Sequence, residues 1–156
     1  EDLGEQSVMQ KLLKQFDVIL IEADGSKRLP LKVPSETEPV LVPQTGLIIA
    51  CAGLTAAGNQ FRDTCFRFSS HGSWLHRNVD DAIGAEDMAL ILMDERGSRK
   101  GAGGRYYRII LNQADTERER RLSEMVVHAL PEKLQQACVR TTRETCSAGE
   151  DKAAVK

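Results

Sequence analysis

The run Asp17-Val18-Ile19-Leu20-Ile21-Glu22-Ala23-Asp24-Gly25-Ser26-Lys27 constrains this chain more than any other stretch. Val18 to Ile21 are uninterrupted apolar residues, mostly β-branched. That pattern predicts a short strand buried on both faces at the centre of a parallel sheet. Two acids, a glycine and a lysine follow at its carboxyl end, the edge where open α/β sheets place their ligands. A carboxylate there suits a hard cation such as Mg²⁺, and Gly25 lets a backbone N–H approach a phosphate closely. Asp-Gly is also a turn signal, so an exposed strand-end turn is the competing reading.

The pattern on either side extends the α/β reading. Val8, Met9, Leu12, Leu13 and Phe16 recur on one face of a helix that feeds the expected strand. Four prolines between residues 28 and 46 exclude regular helix and central strand there. Leu47 to Ala52 and Ile109 to Leu111 are further apolar runs, each expected to be a strand. Residues 85 to 95 read as helix through Ala85, Met88, Ala89 and Leu92. Thr116 and Glu119 form a capping-box pattern ahead of the stripe Leu122, Met125, Val126, Ala129 and Leu130, and Pro131 limits that helix. A last strand is expected near Ala137–Thr141, and residues 147–156 read as a flexible tail. Short strands alternating with amphipathic helices predict a three-layer α/β domain with a mainly parallel sheet, over residues 1–146. Residues 59–81 interrupt the rhythm as an insertion or small subdomain holding Phe61, Phe66, Phe68 and Trp74 among basic residues.

Bulk properties narrow the function classes. The 156 residues suffice for one domain with a real core. The formal net charge of −2 gives no global reason for nucleic acid or an acidic membrane as partner. No apolar run approaches bilayer length. The four cysteines include no Cys-x-x-Cys pair and read as free thiols, which fits a reducing, cytoplasmic setting. No Gly-x-x-x-x-Gly-Lys-Ser/Thr occurs, and the first residue is Glu1 rather than methionine, so a chain lacking its first part is expected.

The stretch Glu22-Ala-Asp-Gly-Ser-Lys-Arg-Leu-Pro-Leu-Lys-Val-Pro-Ser-Glu-Thr-Glu-Pro-Val is highly particular. With Gly53-Leu54, Gly58, His76-Arg77, Lys100-Gly101 and Leu111-Asn112-Gln113-Ala114-Asp115, it resembles the selenium-dependent hydroxylase accessory protein family, YqeC. The resemblance implies a P-loop nucleotide hydrolase fold, here incomplete at its amino terminus because the phosphate-binding loop is absent from this sequence. It further implies Mg²⁺ with a nucleotide, GTP ahead of ATP, and a role in maturing a selenium-dependent molybdenum hydroxylase. The implied partners are that enzyme or its cofactor-maturation proteins, and members of this hydrolase branch often work as homodimers. A binding module that docks on a client without turnover is the alternative.

Candidate site residues follow. Asp24 is the expected Mg²⁺ ligand, Glu22 its rival or the group that orients an attacking water, and Gly25 the backbone donor toward the terminal phosphate. An ion pair of Glu22 with Lys27 or Arg28 is the plainer alternative. Asn112-Gln113-Ala114-Asp115 resembles the guanine-recognition motif of GTPases, with Asn112 bracing the nucleotide loops and Asp115 accepting from the base; Gln113 stands where that motif has lysine. A helix-capping loop before Thr116 explains the same residues. Arg99, Lys100 and Arg105, set among Gly97, Gly101, Gly103 and Gly104, suit an oxyanion such as phosphate or a molybdate-like species, or form a solvated loop. Tyr106 and Tyr107 are expected to pack, and Cys65, His71 and His76 lack zinc-ligand spacing.

Overall fold

The computed structural model describes residues 6–142; the expected tail 147–156 and Cys146 lie outside them. Helix α1 (Gln6–Gln15) opens this region, with Met9 buried and Leu13 exposed. Two short strands, β1 (Leu31–Lys32) and β3 (Cys65–Phe66), pair in parallel. The larger sheet has the order β2-β4-β5, all parallel: β2 (Leu47–Gly53), β4 (Tyr106–Asn112) and β5 (Cys138–Arg140). The helices α4 (Ala85–Met93) and α5 (Glu117–Ala129) lie on the two crossovers of this sheet.

Strand alternation decides where the core lies. Ala50 and Ala52 of β2 and Tyr107, Ile109 and Leu111 of β4 share one face with Met88, Ile91, Leu92 and Val126 of the helices. Each helix has a defined start. The Glu119 N–H donates to Thr116 Oγ1, and the Thr116 N–H donates to the Glu119 carboxylate at 2.8 Å, the expected capping box. At α4, buried Asp87 accepts from the Gly84 N–H at 2.9 Å and from Arg77 Nε at 2.8 Å. The phenol of Tyr107 donates to the Leu92 carbonyl at 2.7 Å, and burial pushes it well above its ordinary pKa.

Two expectations need correction. Val18 to Ile21 do not form a buried central strand: they run without ladder partners, and Val18 and Leu20 are 75% and 85% exposed. Apolarity favours burial, but a strand needs a neighbouring edge within hydrogen-bonding reach. Here a groove of about 580 Å³ lies between this segment and β2, lined by Ile19, Leu20 and Ile21 on one side and Ile48, Ile49 and Ala50 on the other. The expected three layers are two among the described residues. The face of β2-β4-β5 opposite the helices leaves Leu47, Ile49 and Val139 exposed, and Tyr106 with them rather than packed. The observed class is mixed α/β with parallel strands in two small sheets, as expected at that level.

Residues 59–81 form the short helices α2 (Phe61–Thr64) and α3 (Phe68–His71) around β3, followed by a 3₁₀ turn at Ser73–Leu75. Phe61, Cys65, Phe68 and Leu75 join the same core cluster as the sheet. Phe61 is fully buried and stacks on Phe68 with ring centroids 4.0 Å apart. Truncating it removes that stack and leaves a cavity, so Phe61→Ala is expected to cost ~3–5 kcal/mol, read as a lowered midpoint of urea unfolding at unchanged slope.

Candidate functional site

The chain after Ile21 is held by one lysine. Lys32 lies on β1, so its side chain emerges beside the β3 residue Phe66 in the paired register. Its ammonium donates to the Gly25 carbonyl at 2.9 Å and lies 2.9 Å from Glu38 Oε2 and 3.3 Å from Asp24 Oδ2. The side chain is only 9% exposed, and a buried ammonium needs such partners. Arg67 pairs with the same Glu38 oxygen. Lys27, Lys32 and Arg67 all stand over the Phe66 ring, at 5.3, 5.8 and 4.9 Å from its centroid.

Glu22, Asp24 and Gly25 lie at the start of this segment. A Cβ at Gly25 would lie 3.9 Å from Glu22 Oε1. Beyond Gly25 the chain turns at Ser26–Leu29, closed by the Leu29 N–H on the Ser26 carbonyl at 3.0 Å. Both central residues, Lys27 and Arg28, have positive φ, 52° and 65°. Non-glycine residues hold that conformation only where surrounding structure imposes it. The ion pair anticipated between Glu22 and Lys27 or Arg28 is replaced by Asp24 with Lys32.

As positioned, these side chains do not fit a divalent cation. Asp24 Oδ2 faces the Lys32 ammonium at 3.3 Å, so a cation on that oxygen would meet a like charge. Among the described residues no group of three or more His, Cys, Asp and Glu side chains converges.

The second element of the site is the carboxyl edge of β2 and β4. The Gly53 N–H donates to the Pro30 carbonyl at 2.7 Å, drawing the proline-rich segment across the strand end. A Cβ at Gly53 would lie 2.6 Å from Gln113 Oε1 and 2.7 Å from Pro30 Cβ, so only glycine permits this approach. Gln113, at φ 65°, accepts from Thr55 Oγ1 at 2.6 Å. Asn112 Oδ1 is buried beside them without a hydrogen-bond partner, an unmet acceptor at the strand end; Trp74 Nε1 and Arg99 Nε are the other buried side-chain atoms so placed among the described residues. Asp115 is half-buried just before the cap residue Thr116, and its carbonyl accepts from Arg120 at 3.3 Å.

The glycine-rich loop 96–105 does not gather its cations at one point. Lys100 donates to the carbonyls of Ser35 and Glu36 at 2.6 and 2.8 Å, and Arg105 to those of Thr45 and Gly101 at 3.0 and 3.1 Å. Arg99 stands over the Tyr107 ring at 5.8 Å. These side chains fasten the loop to the proline-rich segment. Lys100 thereby holds the same turn that supplies Glu38.

Sequence reasoning missed Lys32, Glu38, Arg67 and Phe66, and it missed the role of Gly53 and Thr55. The alternation Leu31-Lys32-Val33, with Leu31 and Val33 buried, is the trace of β1, but two residues of strand are too few to show a period.

Glu38 reports on the cluster. Burial opposes its charge, yet the Lys32 hydrogen bond, the Ser35 N–H and the charges of Lys32 and Arg67 outweigh that and hold its carboxyl below the ordinary value of 4.5. A depressed acid stabilises the fold above its ordinary pKa, and that stabilisation is lost as pH falls through the folded value. Stability should therefore drop below about pH 4.5 by an amount that Glu38→Gln removes. Lys32→Met, which leaves Asp24 without its cation and Glu38 with Arg67 alone, is expected to cost ~1–3 kcal/mol at neutral pH and less in acid. Urea unfolding at pH 7 and pH 3.5 checks both.

Comparison with known proteins agrees with the segment that builds the acidic half of this site. Residues 3–69 match the family model described as YqeC protein. The uncharacterized protein YqeC of Escherichia coli (strain K12) is 32% identical over 87 residues, covering 55% of this chain and 34% of that protein. The chain spans about a third of the length of the curated relative it matches. No solved structure matches. The matched residues 3–69, which carry Glu22, Asp24, Gly25, Lys32 and Glu38, are similar to the YqeC family.

Proposed function

We propose that the carboxyl edge of β2 and β4 receives the base of a purine nucleotide, guanine ahead of adenine. The chain would serve in this way as part of an accessory factor for maturing a selenium-dependent molybdenum hydroxylase. The observation that carries the nucleotide reading is the unmet, buried acceptor Asn112 Oδ1 at a parallel-sheet carboxyl edge, the place where such sheets bind ligands. The left-handed residues Gln113, Lys27 and Arg28 add support, because backbone strain of this kind gathers at ligand sites. The client enzyme rests on the family resemblance alone.

A second reading is favoured by the Asp24–Lys32 pair: a module that binds without turnover and docks on a client enzyme or cofactor carrier. An acid committed to an internal ammonium is not poised for metal-assisted hydrolysis. Phosphate release from GTP by this chain, above the buffer rate and abolished by Asp24→Asn, would overturn the second reading.

Displacement of a fluorescent GTP analogue by GTP, ATP and xanthosine triphosphate tests the base assignment. Binding is expected to be weak, with a dissociation constant above ~10 μM, since no phosphate-cradling loop is present in these residues. GTP should displace better than ATP. Asp115→Asn should erase that ranking, a loss of ~1–3 kcal/mol for GTP. An unchanged ranking would leave 112–115 as only the loop that starts α5.

A further inference from the structure

The turn Ser26–Leu29 holds two cations in a conformation that neither favours. Lys27 and Arg28 are its central residues, with φ of 52° and 65°. A turn with both central residues left-handed otherwise takes Asn and Gly, because a larger side chain strains that backbone. Here the strain is held from both ends. The Gly25 carbonyl accepts from Lys32 at 2.9 Å, and the Pro30 carbonyl accepts from the Gly53 N–H at 2.7 Å. Lys27 and Arg28 are exposed, and neither side chain makes a hydrogen bond or ion pair among the described residues. Lys27 stands over the Phe66 ring, 5.3 Å from its centroid.

This turn ends against the carboxyl edge of β2 and β4. The point a Cβ would take at Gly53 lies 2.7 Å from Pro30 Cβ and 3.2 Å from Asn112 Oδ1. The unmet acceptor and the end of the turn thus share one small space, and Arg28 is two residues before Pro30. Charge around the turn favours an anion. Asp24 and Glu38 are paired with Lys32, and Glu38 also with Arg67, which stands over the same Phe66 ring. Glu22 is the further carboxylate beside Gly25, and at the 35–36 turn Lys100 stands against Glu36. Lys27, Arg28, Lys32 and Arg67 against Glu22, Asp24 and Glu38 leave one positive charge in excess. Its unpaired carriers are Lys27 and Arg28.

We propose that Lys27 and Arg28 hold the polyphosphate of the nucleotide whose base lies at Asn112 and Asp115. This rests on the nucleotide reading above and assigns its phosphate end. Ammonium and guanidinium groups make charge-assisted hydrogen bonds to phosphate oxygens. A turn already fixed at Gly25 and Pro30 presents them with little further ordering. Because both side chains are exposed, the attraction is screened by salt.

Displacement of a fluorescent GTP analogue by GTP, guanosine and inorganic tripolyphosphate tests this, at about 50 and about 300 mM salt. Lys27→Gln combined with Arg28→Gln should weaken GTP and tripolyphosphate at least about tenfold and leave guanosine unchanged. Raising the salt should weaken GTP in the parent and hardly at all in that variant. The charge-keeping exchange Lys27→Arg with Arg28→Lys should retain most of the GTP affinity. Urea midpoints of the variants verify that the fold is kept. A Gln variant that binds GTP and tripolyphosphate like the parent, with GTP still ahead of ATP, overturns the proposal and leaves the base assignment standing. If that variant loses tripolyphosphate while Asp115→Asn keeps the parent's nucleotide ranking, the turn is upheld as the polyphosphate site and the base assignment falls. Equal loss of guanosine and GTP in the Gln variant overturns the proposal. So does tripolyphosphate that displaces nothing from the parent, and an analogue that does not bind the parent at about 1 mM overturns both readings.

Discussion

The seven-residue parallel pairing of β2 with β4 is the constraint on which the rest of this structure depends. Its register fixes which residues face the helices and which face away, because side chains alternate strictly along each strand. It sets Ala50, Ala52, Ile109 and Leu111 against α4 and α5 to make the core. It also brings Gly53 level with Asn112, so that the ends of the two strands meet Pro30 and Gln113 in one small space. A slip by one residue would turn the core side chains outward and separate these partners. The candidate site and the open apolar face are thus two consequences of the same ladder.

Around that frame, charge is used to hold irregular chain in place. The segment 22–46 contains little regular structure, and its backbone groups need partners from elsewhere. Lys32 takes the Gly25 carbonyl and two carboxylates, Lys100 takes two carbonyls of the 35–36 turn, and Arg105 takes the Thr45 carbonyl. Cations that composition alone would assign to an oxyanion are occupied by the protein's own oxygens. Asp24, after the unpaired apolar segment, likewise finds its counter-charge internally in Lys32, which separates its position in the chain from the metal chemistry that position suggests.

The comparison of expectation with structure turns on partners. Helices α4 and α5 and strands β2, β4 and β5 were legible because each carries its own signal: a capping box, a 3.6-residue stripe, or an apolar run bounded by glycine or asparagine. Val18–Ile21 carries an equally strong signal and forms no strand, since the groove leaves it without an edge to pair with. Lys32 gave no signal, because its importance comes from Gly25, Asp24 and Glu38 converging on it from both sides in sequence.

What the sequence determined by itself is local: the helix starts, the strand runs, the grouping of Glu22, Asp24 and Gly25, and the 112–115 loop ahead of Thr116. It carries the similarity of residues 3–69 to the YqeC family as well. What only the tertiary structure decided is which charges are spent on one another, which strand ends share a space, and which sheet face stays bare. The reason is physical. Local signals arise from residues a few positions apart, whereas the Lys32 cluster, the Gly53 approach and the open face depend on groups tens of residues apart. Their proximity exists only once the parallel ladder has formed.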